Sequence, residues 1–215
     1  MSGGGHRLGA LNELHLATVL DTQDPQARGR IQVRLHNTGM ELWAAVVVNG
    51  AGSGYGVAML PRVDEQVVVG FASPEQALVL GALWSGGDAL PSAADPVDAH
   101  YCIETPAGTR IDLEDGSNPK MVLTTPAGYH LTIDDSGAGS VTIEKGGERI
   151  ELTSSGISVT TSGNVSVDAT QVNVSASMVQ VSSSMSSFSG VVQCDTLIAT
   201  SVVGTTYTPG AGNIW

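Results

Sequence analysis

Charge is scarce in this chain, and positive charge scarcest. Only 14% of residues are charged, with 9 Lys and Arg against 21 Asp and Glu, a formal net charge of −12. Ordinary globular domains carry about 25% charged residues. An excess of acid repels nucleic acid and anionic membrane surfaces, so neither is an expected binding partner. The nearest approach to a basic patch is Arg28, Arg30 and Arg34, and Asp21 and Asp24 precede it. Aromatics make up only 4%, too few for the stacking platforms of a single-strand binder or the lined groove of a carbohydrate-active enzyme. The two cysteines, Cys102 and Cys194, show no metal or redox spacing, which suits a reduced, cytoplasmically made chain. No run of about 18 apolar residues occurs, and the start MSGGGHRLGA has no apolar segment. Neither a membrane span nor a signal peptide is expected. Any role outside the cell would need a route other than ordinary secretion.

What is plentiful is Ser, Thr, Gly and Val, a bias toward strands and turns. Residues 1–85 read as a small β-barrel domain. Strands are expected over Leu14–Leu20, Gly29–Leu35, Leu42–Val48, Val57–Leu60, Gln66–Phe71 and Ala77–Leu83. In GRIQVRL, Ile31, Val33 and Leu35 share one face by period-two alternation. Several short strands in so few residues favour a closed barrel, which leaves no open edge. Residues 86–102 read as a linker by composition.

From residue 103 to 206 the pattern changes. TPAG at Thr105–Gly108 recurs at Thr125–Gly128. Apolar-x-apolar pairs follow at a step of ten: Ile111 with Leu113, Met121 with Leu123, Leu131 with Ile133, Val141 with Ile143. They continue at shorter steps: Ile150 with Leu152, Ile157 with Val159, Val165 with Val167, Val172 with Val174, Val179 with Val181. Both members of a pair face one side of a strand. A fixed short period of strand plus turn marks a β-solenoid or β-helix. Each repeat offers only two modest apolar side chains, so three chains winding around one narrow core are expected. The pairs, apart from Met121 and Leu123, are the candidate trimer core. The expected fold is all-β, an OB-like barrel followed by an intertwined trimeric β-helix.

Three stretches, GRIQVRL at 29–35, YGVAMLPRVDEQVVVGF at 55–71 and ALVLGALWSG at 77–86, together resemble the OB domain of contractile-tail spikes. That family includes phage baseplate assembly protein V, the VgrG proteins of type VI secretion and spikes of extracellular injection systems. The repeats are similar to its trimeric β-helix. The resemblance implies a structural, non-enzymatic needle. It would cap the inner tube below a separate hub protein bound at the barrel, and pierce a target envelope with only transient membrane contact. Some members carry a lysozyme domain between barrel and helix; 86–102 is too short to hold one. Others end in a histidine-x-histidine metal site, but the last histidine here is His130, so no metal or other cofactor is expected. The resemblance also implies a PAAR-like tip protein at the apex, residues 207–215, with Tyr207, Pro209, Ile214 and Trp215 as docking residues.

The adjacent acids Glu114–Asp115 and Asp134–Asp135 raise the alternative of a solenoid carbohydrate-binding or carbohydrate-active protein. Such catalysis needs one carboxyl with a raised pKa, and acids on exposed corners do not meet that need. The glycine-dense Asn49–Gly56 lacks phosphate-loop spacing and reads as a hairpin or barrel loop. His6, His15 and His36 show no metal-ligand spacing. Trp43 and Phe71 lie in apolar strands and are expected in the core.

Overall fold

The computed structural model describes residues 13–85, 90–91, 94 and 98–206. It holds strands and no α-helix among them. The chain divides into two compact units, Met1–Val165 and Ser166–Trp215.

The first seven strands are β1 (His15–Asp21), β2 (Arg30–Leu35), β3 (Glu41–Val46), β4 (Ala51–Gly52), β5 (Tyr55–Gly56), β6 (Gln66–Ser73) and β7 (Gln76–Leu83). Five of them close into a barrel in the order β1-β2-β3-β7-β6. All its pairings are antiparallel except β3 with β7, which is parallel. Register shifts at Val19/Asp21, Val68/Val69 and Phe71/Ser73 bend the strands, as closure of so small a sheet requires. The alternation in GRIQVRL fills the interior as expected: Ile31, Val33 and Leu35 are fully buried with Ala17, Val19, Ala44, Val67, Val69 and Val79. Phe71 packs on this cluster. His15 is also buried, edge-on to Phe71 at 5.7 Å, its Nδ1 2.8 Å from the Asn37 amide. Trp43 departs from expectation. It is only half-buried and lies under the Arg30 guanidinium, 5.8 Å from its ring centre.

Val57–Leu60 is not a strand. The loop before it forms the β4–β5 hairpin, and the Val57 amide closes it on the Gly50 carbonyl. That turns the run outward, leaving Val57, Met59 and Leu60 exposed.

Regular structure resumes with β8 (His100–Glu104), so the last residues of the expected linker are strand. Next come β9 (Arg110–Glu114), β10 (Lys120–Thr124), β11 (His130–Asp134), β12 (Ser140–Lys145), β13 (Glu148–Thr153) and β14 (Gly156–Thr160). These seven form one sheet in chain order, each strand antiparallel to the next. The step of ten is a five-residue strand plus a five-residue loop. It shortens where the loops shrink to Gly146–Gly147 and Ser154–Ser155. The shaft was expected as part of an intertwined trimeric β-helix from residue 103. Within one chain, the stretch through Thr160 is an up-and-down meander, because loops this short permit only hairpins.

The TPAG repeat shows how one turn is written twice. The amides of Thr109 and Tyr129 donate to the Oγ1 of Thr105 and Thr125 at 3.1 and 3.2 Å. Gly108 and Gly128 donate to the same threonines' carbonyls at φ of 86° and 80°, a conformation that strongly favours glycine. Proline pre-sets the second position.

From Thr161 to Thr206 no strand forms within the chain, and from Ser162 onward every described side chain is exposed.

Candidate assembly surface

The meander has two unlike faces. Its register lines up two apolar rows across all seven strands. One row runs Tyr101, Leu113, Met121, Ile133, Val141, Leu152, Ile157. The other runs Ile103, Ile111, Leu123, Leu131, Ile143, Ile150, Val159. None of these side chains is buried; Ile143 is 51% exposed and Ile157 72%. A continuous apolar face of this extent marks an interaction surface.

The opposite face carries the ion pairs of the sheet, although Asp112 Oδ1 is buried there without a hydrogen-bond partner. Lys120 Nζ meets Glu114 Oε2 at 2.6 Å, and Arg110 Nε meets Asp112 Oδ2 at 2.6 Å. Arg149 bridges Glu144 and Glu151 at 2.7 and 2.8 Å and covers the buried Thr142. Among described residues, the ion pairs of the sheet sit on this face, none on the apolar one.

The expected core residues from Ile111 to Val159 therefore share one surface. Val165, Val167, Val172, Val174, Val179 and Val181 lie beyond the last strand, each 63–73% exposed. Tyr207, Pro209, Ile214 and Trp215 lie outside the described residues. Sequence reasoning missed Tyr101, because 86–102 read as linker by composition, and with it the partner that would have marked Ile103 as the second member of a pair; it also left Met121 and Leu123 out of the core. The signal was present: stepping the ten-residue period back from Ile111 lands on Tyr101-x-Ile103.

The other candidates resolve into structure. Lys120 holds the Glu114 carboxyl below the usual range, and hydrogen bonds from Ser136 do the same for Asp134. A general acid needs the opposite shift. Asp24 takes the Arg30 guanidinium at 2.8 and 3.1 Å, and Arg34 pairs with Glu41 at 2.7 Å. Two of the three candidate basic residues are thus neutralised. Burial, followed by the charges of Asp112 and Glu104, pushes the Cys102 thiol up, which suppresses the reactive thiolate. Both cysteines are free. Among the described residues no group of His, Cys, Asp and Glu is placed to hold a metal ion, and no helix is long and apolar enough to cross a membrane.

Residues 15–84 match the type VI secretion system/phage-baseplate injector OB domain family. That stretch is the barrel. Residues 120–185 match the phage baseplate V C-terminal trimerisation domain family. No individual curated protein matches the chain. The trimerisation match supports a homotrimer, and both matched families are structural baseplate components. An injector OB-domain match over the barrel and a trimerisation-domain match after it together support a baseplate V, spike-like protein.

Proposed function

We propose that three copies of this chain form the central spike of a contractile baseplate or injection apparatus, which caps the inner tube and pierces a target envelope. The observation that carries the reading is the pair of apolar rows left open on a sheet whose ion pairs all lie on its other face. Three such faces turned inward would bury the Ile111-to-Val159 pairs around one axis. The valines from Val165 to Val181 would extend the same core as an intertwined shaft. Burying one such side chain contributes about 1.5–3 kcal/mol, so three full sets support a stiff, unfolding-resistant rod. The work is mechanical. Strands paired to neighbours along the shaft resist bending, and the Ser/Thr surface offers lipid little to hold.

The barrel is the natural mount for a separate hub protein, and residues 207–215 for a PAAR-like tip protein. Deleting 207–215 should abolish co-purification with such a tip; retained binding would refute that docking. The spike reading is tested by labelling the barrel and imaging assembled particles by electron microscopy. Label at the distal end of the tube supports it. Label along the sheath, or absent from the particle, overturns it.

A further inference from the structure

The point where the chain leaves its own sheet is held by one side chain. Glu148 opens β13, directly after the Gly146–Gly147 turn. Strand β14 runs back along β13, with Thr160 opposite Arg149, which returns the chain to that end of the sheet. There Glu148 Oε1 accepts both the backbone N–H of Ser162 at 3.1 Å and its Oγ–H at 2.6 Å. The carboxyl is held below its usual range, first by the Ser162 hydroxyl, then by the Thr161 hydroxyl and the Ser162 amide. These are charge-assisted bonds to an ionised acceptor at neutral pH.

Four observations meet at this spot. Strand pairing within the chain ends at Thr160, and no strand follows as far as Thr206. The apolar-x-apolar pattern does not end; Ile157 with Val159 is succeeded by Val165 with Val167. Strand β14 is the last of its sheet, so its outer backbone groups have no strand partner among the described residues. The trimerisation match runs from 120 to 185 across the junction. The side chain that fixes the exit therefore stands where pairing within a chain gives way to unpaired, strand-like sequence.

We propose that Glu148 is a positioning residue. It turns the chain out of its own sheet after Thr160 and directs residues 163–167 onto the open β14 edge of a second copy. This rests on the homotrimer reading above. The acceptor sets the direction of exit, and the partner is the edge whose Ile157 and Val159 are in line to continue as Val165 and Val167.

The test uses the full-length chain, with Glu148→Ala, Glu148→Gln and Ser162→Ala as variants. Native mass by light scattering is read with hydrogen exchange over residues 156–167 and, as an internal control, over β10–β12. In Glu148→Ala, exchange at 156–167 is expected to rise about tenfold while β10–β12 stays protected, the size of effect that follows losing charge-assisted bonds at one spot. Glu148→Gln keeps an oxygen acceptor and should restore most of the protection. Ser162→Ala, on an exposed side chain, should fall between. Wild-type exchange in both alanine variants would overturn the proposal and leave the trimer standing. So would equal losses at 156–167 and β10–β12 in Glu148→Ala with Ser162→Ala unaffected. A monomeric wild-type chain would instead overturn the homotrimer, and this inference with it.

Discussion

Asp24 shows how much local order one carboxylate organises in this fold. Its side chain is almost fully covered. It accepts the backbone N–H groups of Gln26 and Arg28 at 3.0 and 2.8 Å as well as the Arg30 guanidinium. The guanidinium is the chief reason that its carboxyl titrates well below the ordinary 3.8. A carboxyl depressed by folding stabilises the fold above its unfolded pKa, and that stabilisation is lost as pH falls toward the folded value. Asp24→Asn should therefore melt below wild type at pH 7, with the gap narrowing progressively as pH falls below about 4, the ordinary carboxylate pKa. Barrel melting followed by circular dichroism checks this; a gap that stays constant with pH would refute it. Ile31, fully buried between strands, makes the complementary case. Ile31→Ala should cost about 2–5 kcal/mol in a denaturant titration, as large-to-small core changes do.

At the scale of elements, the barrel core was legible because alternation has one reading: in GRIQVRL every second residue is apolar, and those three are the buried ones. The run Val57–Leu60 was misread as a strand because a short apolar stretch without alternation says nothing of its partner. The β4–β5 hairpin denied it one. The ten-residue period was read correctly as strand plus corner. What it could not say was whether consecutive strands pair with each other or with other chains. Loop length answers that up to Thr160, where five- and two-residue connections close hairpins. The two faces of the sheet then differ in what they tolerate. Ile143→Asp places a charge on the apolar rows and should yield a monomer by light scattering. Thr132→Asp, on the opposite face, should leave the oligomer intact. Equal outcomes for the two would contradict the assigned face.

At the scale of the molecule, the assembly predicts a native mass near three times the 22.0 kDa chain, surviving SDS at room temperature and collapsing on boiling. Val172→Asp or Val179→Asp would bury three like charges about one axis. Either should abolish assembly while the barrel keeps its circular dichroism, and a folded trimer of either variant would disprove that core. The hairpin loops of the meander carry a last implication, for kinetics. Every strand pairing in that sheet joins neighbours along the chain, so it can form quickly and without encountering another molecule. The stretch after Ser162 has no such local partner. Refolding should then split in two: a rapid phase whose rate ignores protein concentration, and a slower one that speeds up as the chains are made more numerous.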